Sequence, residues 1–213
     1  MTPTLGLVLA CLAAVAGLLY AEYRGKRFAR VVLKLCASTA FVLLAAVLGA
    51  HESTYGQFIL AALVLGWLGD ALLLSDNSRL FMAGLGAFLA SHLCFAAAFI
   101  AGGFSLPSFG LAALPAVIAG GAIARWLWPH LSADFKAPVV AYVVAILFMC
   151  AAAAGFAAAT GVWRALAGAV LFAASDIAVA RDRFVLKSFT NKLWGLPVYF
   201  IAQLVLASSV AVA

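Results

Sequence analysis

The sequence is poor in charge. Only 9% of its 213 residues are Asp, Glu, Lys or Arg, and the acidic residues number seven. Soluble domains carry about a quarter charged residues, so this chain cannot present water with an ordinary surface. Cysteine is equally uninformative: Cys11, Cys36, Cys94 and Cys150 lie apart, each inside an apolar run, with no CxxC pair. That spacing offers no disulfide framework and no zinc site, and the four read as small packing residues. No GxSxG elbow, HExxH pair or Walker loop is present, and no His/Cys/Asp cluster has metal-ligand spacing. A covalent serine nucleophile and a metal-activated water therefore lack support, and no cofactor is implied.

What is present is hydrocarbon. Hydrophobic residues make up 68% of the chain. A helix needs about 20 apolar residues to cross a bilayer. Eight such runs are legible, at about 4–21, 28–49, 57–75, 80–102, 109–128, 137–158, 162–180 and 189–212. Their long stretches of Ala and Leu suit helices; barrel strands would alternate polar and apolar residues. The expected fold is an all-α integral membrane protein with eight transmembrane helices, residues 1–213 forming one transmembrane domain. Met-Thr-Pro-Thr supplies no basic n-region, so the first run is expected to be a retained helix.

The formal charge of +6 does not point to nucleic acid, because the cations sit in short loops between spans. Arg24, Lys26, Arg27 and Arg30 lie near the first loop, Arg79 in the third, Arg125 and Lys136 near the fifth. Arg181, Arg183, Lys187 and Lys192 lie near the seventh. The second and fourth loops hold none, and the sixth only Arg164. The positive-inside rule makes the odd loops cytoplasmic and leaves both termini outside, in a multi-pass protein of the cell membrane.

An ionisable group inside the hydrocarbon is costly and marks a functional site by default. Asp70 in span three, Asp176 in span seven and Lys34 in span two are such groups. Counted from the span ends, the two aspartates lie roughly 6–8 Å below the cytoplasmic interface, with Lys34 near the same level. This predicts one polar pocket opening toward the cytoplasmic leaflet. The aspartates are 106 residues apart, and each is followed six residues later by another, Asp76 and Asp182. That spacing suggests a parallel repeat of four plus four spans. Asp76 and Asp182 themselves read as loop solvation, or as groups that order a loop or meet a headgroup amine. Asn191 reads as a cap of span eight.

Other polar residues complete the candidate pocket. His92 shares a helix face with Gly84 and Phe88, at spacings of four. Tyr142 lies one turn after Pro138, Ser175 precedes Asp176, and Tyr199 and Gln203 are four apart. Each alone is ordinary interhelical glue. Together with two carboxylates they outline the wall of a polar cavity.

Gly69-Asp70, Phe81…Gly84…Phe88…His92, Pro138…Tyr142, Gly168…Phe172-x-x-Ser175-Asp176 and Tyr199…Gln203 occur in this order. The set resembles the YhhN family of integral membrane proteins, from about Lys34 to Gln203. Phe95 departs from the pattern, where a tyrosine is expected one turn after the histidine. The resemblance implies lysoplasmalogenase activity, hydrolysis of the vinyl ether of a lysophospholipid to a fatty aldehyde and a glycerophospho-base. It also implies Asp70 and Asp176 as the catalytic pair. Such chemistry needs an acid to protonate the β carbon, a base to guide water, and negative charge beside the oxocarbenium ion. Two carboxyls in different protonation states supply all three. Which Asp is acid and which is base stays open at this level. Lys34, His92, Tyr142, Ser175, Tyr199 and Gln203 are expected to line the substrate pocket, and Arg181, Arg183 or Lys187 to meet the headgroup phosphate. Membrane lipids and the lysophospholipid are the expected partners; the oligomeric state is undetermined. The competing reading is a proton-coupled transporter of a small molecule or lipid, on the strength of the intramembrane carboxylates and the suggested repeat.

Overall fold

A chain this apolar has no water along most of its length to satisfy its peptide groups, so the backbone must bond within its own helices. The computed structural model describes residues 3–75 and 77–212 and shows that solution. Asp76 lies outside the described residues. Eight long helices follow in order: α1 (Pro3–Tyr23), α2 (Arg27–Val47), α3 (Thr54–Leu72), α4 (Ser78–Ala101), α5 (Leu106–Leu127), α6 (Ala133–Thr160), α7 (Trp163–Ala180) and α8 (Phe189–Ser208). All eight are long and apolar enough to cross a membrane. No strand occurs among the described residues. The protein is an all-α, multi-pass membrane protein.

The expected spans and the observed helices agree to within a few residues, with informative exceptions. α3 starts at Thr54 because Ser53 caps it, its side chain accepting from the Gly56 amide at 3.0 Å. α4 starts at Ser78 under an Asn77 cap. α8 is capped by Ser188, which accepts from Thr190. Asn191 is therefore inside the first turn of α8 and is not its cap. α7 does not stop at Ala180 but runs on through a π-helical turn, Arg181–Val185.

Seven helices close a ring in the order α1, α2, α3, α4, α6, α7, α8 and back to α1, with α8 also reaching α2 and α3. α5 lies outside, against α6, and its buried residues are Gly120 and Leu127. Small residues set the closest approaches, as they do where lipid supplies no hydrophobic drive. A Cβ on Gly195 of α8 would collide with that of Ala178 on α7, and one on Gly69 would stand 2.6 Å from the Phe88 ring. The ring thus draws α2, α3, α4, α6, α7 and α8 around one interior, where the polar residues gather.

Candidate active site

Asp70 stands near the C-terminal end of α3 and is 2% exposed. Three donors converge on it. The Lys34 ammonium lies 3.2 Å from Oδ1. The hydroxyls of Ser38 and Tyr199 lie 2.5 and 2.8 Å from Oδ2. Lys34 and Ser38 are one turn apart on α2, so one helix face delivers both. The Lys34 carbonyl, 3.0 Å from the Ser38 oxygen, competes for the same proton, but a carboxylate is the stronger acceptor. One cation and two hydroxyls thus converge on a single buried carboxyl.

Asp176, one turn before the end of α7, has different company. His92 of α4 places Nε2 3.3 Å from Oδ2, off the line of a formed hydrogen bond. The other ring nitrogen, Nδ1, lies 2.6 Å from the Phe88 carbonyl. A carbonyl only accepts, so Nδ1 carries a proton. Nε2 and Oδ2 would repel if both were bare. One proton therefore belongs between them, on the carboxyl or on the imidazole. Tyr142 of α6 stands beside the pair, its ring 5.2 Å from that of His92. Among the described residues, no hydrogen-bond or ion-pair partner is shared between the two aspartates.

Aromatic rings join the two settings. Tyr199, the partner of Asp70, packs 5.5 Å from Phe172, and Phe172 lies 4.4 Å from His92. Phe88 meets both Tyr199 and Phe172 edge-on. A cavity of about 860 Å³ runs past this cluster, with Lys34, Asp70, Tyr142, Ser175, Asp176 and Tyr199 in its lining. Toward α5 its walls are apolar, with Ala116, Ala119, Leu147 and Val170. Toward the helix ends that carry the basic loops it reaches Glu22, Arg30, Arg183, Lys187 and Lys192. The volume lies in the range of ligand sites.

The expected site residues divide accordingly. Asp70, Lys34 and Tyr199 form one cluster, and Asp176, His92 and Tyr142 the other. Ser175 lines the cavity, but its hydroxyl donates to the Phe172 carbonyl at 2.7 Å within its own helix. Gln203 is fully buried and its amide has no hydrogen-bond partner among the described residues. A Cβ on Gly66 would stand 3.0 Å from that amide nitrogen and 3.5 Å from the Tyr199 oxygen. Gln203 is thus behind the wall, at the back of Tyr199. Arg183 and Lys187 reach the cavity, and the Arg183 guanidinium lies 4.1 Å over the Phe81 ring. Arg181 is half-buried in the π-helical turn, outside the lining. Asp182 accepts from the Ser188 amide and from Asn191 at 2.9 and 3.2 Å, and so orders the loop into α8.

Asp70 is two residues from the end of α3, and Asp176 is four residues from the end of α7, which continues into the π-helical turn. Ser38 was not singled out from sequence. Its signal is the spacing of four from Lys34.

The sequence profile of the YhhN family matches residues 29–210. The chain is 36% identical over 169 residues to a lysoplasmalogenase of Mycobacterium tuberculosis, covering 77% of this chain and 63% of that protein. It is 32% identical over 166 residues to lysoplasmalogenase TMEM86A of Bos taurus, covering 75% and 66%. For lysoplasmalogenase TMEM86B of Homo sapiens the values are 32% over 162 residues, covering 73% and 64%. The chain thus spans less than two thirds of the length of these relatives. No solved structure matches it. The profile match takes in α2 to α8, and with them every residue of both aspartate clusters, so the chain belongs to the YhhN family.

Proposed function

We propose that the protein is a lysoplasmalogenase in which Asp176 is the general acid and Asp70 the ionised base. The observation that carries this reading is the unequal donor set of two carboxyls on one lipid-sized cavity. Asp176, with His92, has a proton to give. Asp70, with Lys34, Ser38 and Tyr199, has none and bears the negative charge.

The steps balance without a cofactor. Asp176 protonates the β carbon of the vinyl ether, and an oxocarbenium ion forms at the α carbon. The Asp70 carboxylate stabilises that cation and takes a proton from the attacking water. The hemiacetal then breaks its bond to the glycerol oxygen, which takes the proton held on Asp70, while the hemiacetal hydroxyl returns its proton to Asp176 and fatty aldehyde leaves. The apolar end of the cavity beside α5 suits the alkenyl chain. We read the odd-numbered loops as cytoplasmic, both termini as external and the membrane as the cell membrane, from the distribution of basic residues. The equivalent surroundings of the two aspartates, each met from the preceding helix (α2 or α6) and from the last helix of the other half (α8 or α4), favour the four-plus-four reading.

The test is purified protein with an alkenyl lysophospholipid, assayed for fatty aldehyde. Asp70→Asn and Asp176→Asn each abolish release while the protein stays folded. Full activity in either variant sinks the assignment. Uptake of the lipid into sealed vesicles without aldehyde favours a transporter instead.

A further inference from the structure

Among the charged residues that the catalytic reading leaves unused, three form a cluster. Glu22 ends α1, Arg30 lies in the first turns of α2, and Lys192 lies in the first turn of α8. The Lys192 ammonium is 2.7 Å from Glu22 Oε2, and the Arg30 guanidinium is 3.9 Å from the same oxygen. Their side chains are 27%, 24% and 12% exposed for Lys192, Arg30 and Glu22, so they are half-hidden in the protein and still reachable. All three line the main cavity. Glu22 and Arg30 also line a second cavity of about 230 Å³ against the α1–α2 turn. The Arg30 Nε is buried with no hydrogen-bond partner among the described residues, and Nη2 donates to the Leu74 carbonyl at 3.5 Å. A guanidinium with a spare edge, beside a lysine that a single carboxylate holds, is an incomplete charge cluster.

Its position relative to Asp70 is set by α2. Arg30, Lys34 and Ser38 are spaced by four and form one stripe. Lys34 and Ser38 take Asp70, and Arg30 lies one turn below, about 6 Å along the axis. That turn matches the reach of a three-carbon glycerol backbone between an ether oxygen and a phosphate. The cluster carries two positive charges and one negative. A zwitterionic headgroup offers one negative and one positive, so each charge in both partners finds an opposite.

We propose that Arg30, Lys192 and Glu22 form the headgroup subsite for a lysophospholipid whose phosphodiester is bound by the two cations and whose terminal ammonium is bound by Glu22. On binding, Lys192 exchanges Glu22 for the phosphate, and the freed carboxylate oxygen accepts from the ammonium. A primary ammonium donates hydrogen bonds to Glu22 and a quaternary one cannot, so ethanolamine is preferred to choline. The proposal rests on the lysoplasmalogenase reading for the substrate class, but its test does not require turnover.

The probe is a saturated 1-O-alkyl glycerophosphoethanolamine, which has no vinyl bond to cleave, titrated against the full chain in detergent micelles. Wild type binds it. Arg30→Gln and Lys192→Gln weaken binding by about tenfold or more, as expected for loss of a charge-assisted contact, and Arg30→Lys and Lys192→Arg recover most of it. Glu22→Gln weakens the ethanolamine lipid but leaves an alkyl glycerophosphate, which has no amine, within about twofold. Glycerophosphoethanolamine competes, and inorganic phosphate at equal concentration does not. Binding of the Arg30 and Lys192 variants within about twofold of wild type overturns the proposal. So does an equal loss for alkyl glycerol, which has no phosphate and would report a cluster that merely fastens α1 and α8. Equal competition by inorganic phosphate overturns it too, since the site would then be a plain anion site. If Arg30→Gln does not fold, Lys192→Gln decides alone. Absence of aldehyde release from an alkenyl lipid that still binds through these residues would refute the hydrolase and leave the subsite standing.

Discussion

Replacing Lys34 with Met tests the electrostatics at the centre of the site. The ammonium is 3.2 Å from Asp70, 12% exposed against 2% for its partner. At an effective dielectric of about 20 the pair attracts by roughly 5 kcal/mol before desolvation is counted. Removing one partner leaves a buried charge with only two hydroxyl donors, Ser38 and Tyr199. Such losses destabilise by about 3–5 kcal/mol. For a chain of this size that lowers the melting temperature by on the order of 10 °C. Asp70 has a second recourse, which is to take up a proton. Either way it no longer serves as an ionised base, and aldehyde release falls by about 100-fold or more. Lys34→Met combined with Asp70→Asn separates the two effects. With no charge left to strand, the double variant regains about 2–3 kcal/mol relative to additivity but regains no activity. Thermal unfolding in detergent and the aldehyde assay read the two axes. A Lys34→Met protein with wild-type melting and wild-type turnover would refute the ion pair as the support of Asp70.

Other substitutions probe the rest of the cavity. Gly69→Ala places a methyl group 2.6 Å from the Phe88 ring and costs about 1–3 kcal/mol by overpacking; because Phe88 abuts Tyr199 and Phe172, turnover drops along with the melting temperature. His92→Phe keeps an aromatic ring in place and removes the polar partner of Asp176, so turnover falls by about 100-fold or more with little change in lipid binding, measured as kcat against KM. Ala119→Phe fills the apolar end of the cavity, so KM rises for long alkenyl chains and stays near wild type for short ones.

Much of this was legible because of the hydrocarbon. Against 68% apolar residues, Asp70, Asp176 and Lys34 stand out by their presence alone, and helix period fixes His92 with Phe88 on one face. Pairing across helices was not legible. Nothing in the order of residues says that Tyr199 serves Asp70 and His92 serves Asp176; that follows from α8 reaching from its place in the ring to α2 and α3 while α4 packs on α6. Ser38 was obscured because a serine within a span usually bonds its own helix, as Ser175 does. Glu22, Arg30 and Lys192 were hidden for another reason. Charges at helix ends are what any topology demands, so sequence cannot distinguish a determinant of orientation from a ligand. The π-helical turn after α7 was missed because Arg181-Asp182-Arg183 ends the apolar run while the helix continues.

The separation of the two aspartates is as consequential as their presence. Two carboxyls in direct contact share one proton, and their titrations belong to the pair. Such a dyad uses its single proton first as acid and then as base. Vinyl ether cleavage has a different requirement. When the β carbon is protonated, a charge must already stand ready for the oxocarbenium ion, and a base for the water that follows. Here each carboxyl has its own neighbours, from α2 and α8 for Asp70 and from α4 and α6 for Asp176, with Phe172 between Tyr199 and His92. In the proposed reaction, proton transfer from Asp176 therefore need not await a change at Asp70. After protonation of the carbon, both carboxyls are negative around one cation, the state in which mutual repulsion of the carboxylates is most fully offset by the substrate. On the proposed mechanism, a carboxylate already met by Lys34, Ser38 and Tyr199 places the stabilising charge in the site without any rearrangement at the moment of reaction.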